Sequence, residues 1–258
     1  MLAVAGIDIG SATTKAVILE GNKILAFHLE PTGANAKETG DRALAFALQE
    51  AGIDLADLGA IVATGYGRIS VPFARRRVTE ITCHGRGASA LFPATRTVID
   101  IGGQDSKVIR LDAGGMVSDF IMNDKCAAGT GRFLEVMAGV LEIRVADLGA
   151  LALKARRGAA ISSTCTVFAE SEVVGLIARG CPKEEIALGL CEAVAARLEG
   201  MVRRVGLEGE VMLTGGVALN EGVRRALERR LGVKLRVPPQ PQLVGAYGAA
   251  LLARDLNA

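Results

Sequence analysis

The sequence predicts an α/β protein of duplicated architecture, and two observations carry that prediction. The stretches GIDIGSATTKAVIL (Gly6 to Leu19) and VIDIGGQDSKVIRL (Val98 to Leu111) share one order: apolar run, Asp, Ile, Gly, four residues, Lys, and a second β-branched run. Asp8, Gly10 and Lys15 thereby match Asp100, Gly102 and Lys107. At 258 residues, half of them apolar, the chain is also long enough for one large or two small domains around a real core.

The elements follow in order. Each copy of the repeat reads as a β-hairpin, two short strands joined by a glycine-led turn, with the carboxylate at the end of the first strand. Between them, GRGASA (Gly85 to Ala90) is a weak dinucleotide-binding echo without a clear preceding strand, and G-x-x-x-x-G-K-[ST] occurs nowhere. NDKCAAGTGRFLEVMAG sets Cys126 before a helix expected from about Thr130 to Val140, and STCTVFAESEVVGLIARG sets Cys165 before another. VMLTGGVALNEGV (Val211 to Val223) reads as a buried strand, a Gly-Gly turn and a helix opened near Asn220. The tail PPQPQLVGAYGAALLARDL gives a Pro-rich loop and then a small-residue helix from about Leu243, suited to close helix packing. Arg75 to Arg77, and Arg203, Arg204, Arg224, Arg225, Arg229 and Arg230, are read most simply as solvated helix faces.

Each hairpin has the chemistry of a phosphate and metal site. Small residues from Gly10 to Ala12 let backbone N–H groups approach phosphate oxygens, the hydroxyls of Ser11, Thr13 and Thr14 add donors, and Lys15 supplies a fixed positive charge. Asp8 and Asp100 suit the water shell of Mg²⁺, which keeps much of its hydration. One such hairpin alone would be an ordinary solvated turn; two in register favour the phosphate reading. Lys107 keeps a second reading, a solvated charge at a strand end. The turn of Gly215, Gly216 and Val217 is open enough to lie against adenine or ribose.

Composition excludes other classes. With 22% charged residues and a formal net charge of +2, the chain has no strong electrostatic preference for nucleic acid or an anionic membrane. Aromatics are 3% with no Trp, too few for stacking platforms on single strands. The stretch MLAVAGIDIG lacks a basic n-region, and no uncharged apolar run approaches a membrane span, so a cytoplasmic protein is expected. Five cysteines in a reducing compartment read as core residues, metal ligands or catalytic thiols. Cys191 falls in the apolar stripe Leu188, Cys191, Ala195, Leu198, Val202; Cys181 precedes Pro182 at a helix start; Cys83 beside His84 is read as packing before nucleophile. Spacing alone would give core packing to Cys126 and Cys165 as well.

Taken together, two Asp-Gly hairpins, a late Gly-Gly loop and a closing Gly/Ala helix resemble the superfamily of actin, the heat-shock chaperones and the sugar kinases. Within it, DIGGQDSK, NDKCAAGTGRF, STCTVFAESEV and TGYGR together resemble the ATPase activators of 2-hydroxyacyl-CoA dehydratases and the related components of benzoyl-CoA reductases, over essentially the whole chain. The resemblance implies a two-lobed actin-like ATPase fold: duplicated ribonuclease H-like lobes of mixed sheets flanked by helices, with ATP or ADP in the cleft. Residues 1–93 and 243–258 would form the first lobe and 94–242 the second.

It also implies roles. Cys126 and Cys165, each expected at a helix amino terminus where the dipole favours a thiolate, would bind iron; two per chain is half of a cubane, so a homodimer would share one [4Fe-4S] cluster. Asp8 and Asp100 would hold hydrated Mg²⁺; Gly10, Ser11, Ala12, Thr13, Thr14 and Lys15 the phosphates; Gly102, Gly103 and Gln104 the γ-phosphate or attacking water; Gly129, Thr130 and Gly131 the nucleotide side of the cysteine-led helix; and Gly215, Gly216, Val217 and Asn220 the adenosine. Asp100, Gln104 and Asp105 are the candidates for orienting water. The implied activity is ATP-dependent one-electron donation, from a ferredoxin or flavodoxin onto an iron–sulfur dehydratase or reductase. A sugar-type small-molecule kinase without a cluster, an actin-like filament, and a dimer holding zinc on the same four thiols are the alternatives.

Overall fold

Strands and helices alternate through a computed structural model that describes residues 2–257. The chain runs β1 (Ala3–Ile9), β2 (Thr13–Glu20), β3 (Lys23–Pro31), α1 (Ala36–Ala51), β4 (Leu58–Thr64), β5 (Arg76–Arg77) and α2 (Glu80–Leu91). It continues through β6 (Thr95–Ile101), β7 (Ser106–Leu111), β8 (Val117–Asn123), α3 (Gly131–Val140), α4 (Val145–Ala152), α5 (Thr166–Ala178) and α6 (Lys183–Val205). It ends with β9 (Glu210–Thr214), α7 (Glu221–Leu231), β10 (Leu235–Arg236) and α8 (Val244–Asp255). Two compact units result: Met1–Arg96, Leu111–Ser118 and Gln242–Ala258 in one, Thr97–Arg110 and Asp119–Pro241 in the other.

The duplication seen in the hairpins extends to whole sheets. The first is ordered β3-β2-β1-β4-β5 and the second, read from its other edge, β8-β7-β6-β9-β10, so every strand has a counterpart at the same place. In the first sheet β1 is antiparallel to β2 and parallel to β4. Strand alternation then sorts its side chains. Ala5, Ile7 and Ile9 of β1 pack with Ala43, Leu44, Ala47 and Leu48 of α1, whose helix is opened by the Asn35 side chain accepting from the Glu38 amide and closed by Gly52 at φ 69°. Val4 packs instead with Ala246, Ala249 and Ala250 of α8. Gly6, on that same face, lies so close to α8 that a Cβ would strike the Ala246 carbonyl and Ala250 amide. The small-residue helix read from the tail is therefore the wall of this sheet, and Asp8, two residues on, points to the α8 side as well.

In the second unit, Ile99, Ile101 and Val108 of the β6–β7 hairpin pack with Phe133, Leu134 and Met137 of α3 and with the buried stripe of α6. Cys191 lies in that stripe and Pro182 caps α6, as read from the sequence. GRGASA is interior to α2, where Gly87 lets the helix approach Val244 of α8.

The run Arg75 to Arg77 needs correction. Arg76 and Arg77 form β5, paired in parallel with Val62 and Ala63, and the Arg75 amide donates to the Ile61 carbonyl at 2.8 Å. An edge strand leaves long cationic side chains in solvent as readily as a helix does, which is why composition could not separate the two. The late arginines do lie on helices, and Arg203, Arg225, Arg229 and Arg230 each meet a glutamate within 3.1 Å. No helix among the described residues is long and apolar enough to cross a membrane.

Candidate functional site

Antiparallel register places Asp8 opposite Lys15 and Asp100 opposite Lys107. In the first hairpin Lys15 Nζ lies 3.3 Å from Asp8 Oδ2 and donates to the Thr13 carbonyl at 3.2 Å. Both side chains are nearly buried, at 11% and 8% exposure, so the charge pair is held by strand geometry rather than by a mobile turn. Gly10 closes the turn by donating its amide to the Thr13 carbonyl at 3.0 Å, and leaves Ser11 and Ala12 exposed at the tip.

Thr14 does not belong to that tip. Its hydroxyl is fully buried, 2.9 Å from the Thr32 hydroxyl, which itself donates to the Gly10 carbonyl at 2.7 Å. Since Thr32 gives its one proton to Gly10, Thr14 must be the donor to Thr32. Alternation turns Thr14 inward while Thr13 stays half-exposed, a distinction invisible in the string SATTK.

The second hairpin repeats the turn: the Gly102 amide donates to the Asp105 carbonyl at 2.9 Å. Lys107 is no solvated strand-end charge. It is buried with Nζ 3.2 Å from Asp100 Oδ2 and 2.9 Å from Asp105 Oδ1, while Thr214 donates to Asp100 Oδ1 at 2.8 Å. Of the three water-orienting candidates, Asp100 and Asp105 are therefore tied to Lys107, and Gln104 alone presents an exposed side chain at the tip.

The sequence reading put Gly215 in the adenosine loop and quoted Thr64-Gly65 only within TGYGR; that the two turns are counterparts escaped it. Thr64-Gly65 ends β4 and Thr214-Gly215 ends β9, the counterpart strands. Gly65 has φ +83° and Gly215 φ +85°. A Cβ at Gly65 would strike Asp8 Oδ1 and the Ile9 carbonyl; one at Gly215 would strike the Ile101 carbonyl and stand 3.0 Å from Asp100 Oδ1. An apolar strand ending in Thr-Gly, present twice, was the available signal. His84 of α2 also reaches this region: a Cβ on Gly245 would stand 2.9 Å from its Nε2 and 3.0 Å from Asp8 Oδ2.

Beyond the turn, Gly216 begins a 3-10 turn to Leu219, with Val217 buried. The Asn220 side chain caps α7 by accepting from the Val223 amide at 3.0 Å.

The cysteine segment is strapped to the second hairpin through its backbone. Gly131 N donates to the Gly102 carbonyl at 2.9 Å and Arg132 N to the Gly103 carbonyl at 2.7 Å. The Gly131 amide and the Thr130 hydroxyl, which donates to the Ala127 carbonyl at 2.7 Å, are thus committed within the protein. Gly129, at φ +84°, lies over the Arg197 side chain. Cys165 is the N-cap of α5, as expected. Cys126 is not at the amino terminus of α3; a turn from Ala127 to Thr130 intervenes and Thr130 is the cap. The fold nevertheless joins the two thiol segments, with Cys126 Sγ 3.6 Å from the Thr164 carbonyl and both cysteines half-exposed.

The residues fit the groups considered for them. Two accessible thiols, one capping a helix with no acid in its first turn, suit a soft, anionic metal group. No group of three or more His, Cys, Asp or Glu is placed to hold a metal among the described residues. Asp8 and Asp100 are hard oxygen donors, each already paired with a lysine, which suits hydrated Mg²⁺ better than a stripped ion. Cys83 and Cys191 are different: burial pushes each thiol up to about 12, for Cys83 against an opposing pull from the Thr64 hydroxyl. Both are packing residues, and Cys83 and His84, adjacent on one helix, do not face each other.

Two sheets of one strand order, each ending its first strand in a carboxylate locked to a cross-strand lysine, define an ATPase of the actin-like fold. The chain belongs to the BadF/BadG/BcrA/BcrD ATPase family, whose model matches residues 5–253. It is similar to the (R)-2-hydroxyglutaryl-CoA dehydratase activating ATPase of Acidaminococcus fermentans, 48% identical over 96% of this chain and 95% of that one. It is also similar to a component of the benzoyl-CoA reductase of Thauera aromatica, 34% identical over 97% and 93%. The activator of the 2-hydroxyisocaproyl-CoA dehydratase from Clostridium difficile, solved with bound ADPNP, superimposes with a TM-score of 0.93 at 44% identity, over 98% of this chain and 95% of that one.

Proposed function

We propose that this chain is an ATP-dependent one-electron donor that activates a partner iron–sulfur enzyme, a 2-hydroxyacyl-CoA dehydratase or an aryl-CoA reductase, after reduction by a ferredoxin or flavodoxin. Two copies would share one [4Fe-4S] cluster, each giving Cys126 and Cys165. The observation that carries this reading is the pair of amide bonds from Gly131 and Arg132 to the Gly102 and Gly103 carbonyls, which join the thiol-bearing segment to a phosphate-type hairpin.

When bound, the cluster supplies a reversible one-electron couple. The protein's own contributions are mechanical and electrostatic. Ser11, Ala12 and Thr13 line the first turn for phosphate oxygens, while Lys15 holds Asp8 and Lys107 holds Asp100, the carboxylates that would bind the water shell of Mg²⁺. Gln104 is the residue assigned to orient the attacking water, because its two rivals are bound to Lys107. Hydrolysis of ATP needs chiefly such positioning and charge stabilisation. Movement of the Gly102–Gly103 carbonyls between nucleotide states would pull directly on the start of α3 and so on the Cys126 loop. The names of the relatives, activators of dehydratases and a reductase component, support the partner class.

The test is anaerobic purification with iron and sulfide counted per dimer in wild type, Cys126→Ser and Cys165→Ser. About four irons per dimer, lost in both variants, is expected for a bridging cubane. Iron-free wild-type protein that resists reconstitution yet hydrolyses ATP would overturn the electron-donor reading and bring forward a small-molecule kinase.

A further inference from the structure

Asn123, the last residue of β8, directs its whole side chain into the loop that carries Cys126. Its Nδ2 donates to the Cys126 carbonyl at 2.9 Å and to the Ala128 carbonyl at 3.0 Å. Its Oδ1 accepts from Arg197 Nη2 of α6 at 3.5 Å. Arg197 in turn underlies the loop: a Cβ at Gly129 would stand 2.8 Å from its Cγ. The segment from Asp124 to Thr130 belongs to no helix or strand. Its shape is set by side chains and turns at its two ends, Asn123 at the start and the Thr130 and Gly131 bonds at the finish.

We infer that Asn123 is the positioning residue of the Cys126 thiol. An amide side chain has two N–H donors, and here both go to carbonyls that bracket the cysteine, so the Cα–Cβ vector of Cys126 is fixed from outside its own residue. Arg197 fixes Asn123 in turn, which links the thiol to the longest helix of the unit. No aliphatic or hydroxyl side chain at this position can make the two donations together. What this means for a cluster rests on the proposed function; the positioning role itself does not.

The experiment uses the full chain made iron-free by chelation under anaerobic, reducing conditions. Iodoacetamide modification of Cys126 and Cys165 is timed separately by peptide mass spectrometry, at one pH, with thermal unfolding recorded alongside. Asn123→Ala removes the side chain, and Asn123→Leu restores its volume without a donor. Both are expected to speed Cys126 modification by about five- to a hundredfold, the scale of losing two hydrogen bonds, and to leave Cys165 within about twofold of wild type. In reconstituted protein, the same variants shift the reduced-state electron paramagnetic resonance spectrum. Wild-type kinetics at Cys126 in both variants would overturn the inference. So would wild-type kinetics in Asn123→Leu alone, which would make bulk rather than donation the cause, or a parallel rise at both cysteines with a lowered melting temperature, which would make the effect general loosening. Selective exposure of Cys126 in a protein that never takes up iron would uphold the positioning role while the cluster reading fails.

Discussion

Asp100 and Lys107 are partners twice over, as cross-strand neighbours in β6–β7 and as an ion pair of 3.2 Å in which each side chain is only 4% exposed. The lysine also holds Asp105 at 2.9 Å, so one cation answers two carboxylates in a nearly dry site. Lys107→Met keeps the stem and deletes the charge. Removing one partner of a buried pair typically costs about 3–5 kcal/mol, and a loss of that size is expected in urea unfolding. An unchanged midpoint would mean that the carboxylates are stabilised by something other than the lysine.

The Thr-Gly ends of β4 and β9 make a paired prediction. Gly65→Ala and Gly215→Ala each put a methyl group against the backbone or carboxylate of the neighbouring Asp8 or Asp100 strand, at φ values that disfavour alanine. ATP turnover should fall on the order of a hundredfold, the scale of an ångström-sized misplacement. Gly52→Ala, at φ +69° with open space around it, is the control: about 1 kcal/mol of stability lost and turnover kept. Equal turnover in all three would refute a positional role for the two glycines.

Thr14 and Ser11 separate structure from ligand binding within one turn. Thr14→Val leaves the Thr32 oxygen without its donor and should lower stability by about 1–2 kcal/mol, with nucleotide affinity nearly unchanged. Ser11→Ala should do the reverse, weakening ADP binding at constant melting temperature. Calorimetric titration of both variants decides, and weakened binding only in Thr14→Val would reverse the assignment.

The cysteines should divide by reactivity. In folded protein at about pH 8, iodoacetamide is expected to modify Cys126 and Cys165 and to spare Cys83 and Cys191, whose burial raises their thiols from 9.0 to about 12. The sign of the linked stability follows. The folded state keeps these protons longer than the unfolded chain, so their contribution is complete below pH 9 and is lost as the pH rises from 9 towards about 12. Wild type should therefore lose stability more steeply across that range than a Cys83→Ala, Cys191→Ala double variant, by up to about 1.4 kcal/mol per pH unit for each thiol. Early modification of Cys83 or Cys191 in folded protein would contradict their burial.

Much of this was legible in the sequence because a strand that ends in a functional carboxylate writes its pattern locally. Asp8 and Lys15 are close in sequence, and their register follows once the hairpin is recognised. Helix caps were legible for the same reason, at Asn220, Pro182 and Cys165. Side-chain orientation at the ends of turns was not: Thr13 and Thr14 differ only by which face of the strand they occupy. Lys107 was open to two readings because nothing local says that Asp105 will fold back onto it. The meeting of Cys126 with Thr164 depends on the packing of α3, α5 and α6, and no short stretch of sequence contains it.

The link between Gly102–Gly103 and the start of α3 is made entirely of main-chain atoms. Every amino acid except proline carries the same amide, so ordinary substitution at Gly131 or Arg132 leaves the link's chemistry intact even where it alters the fit around it. Alanine at Arg132 leaves the connection standing, whereas alanine at Gly131 sets a Cβ 3.1 Å from the Gly102 carbonyl and strains the bond without removing its donor. A change to the backbone itself, Arg132→Pro or an ester in place of the amide, cuts one strand of the tether outright, which no exchange of one side chain for another does.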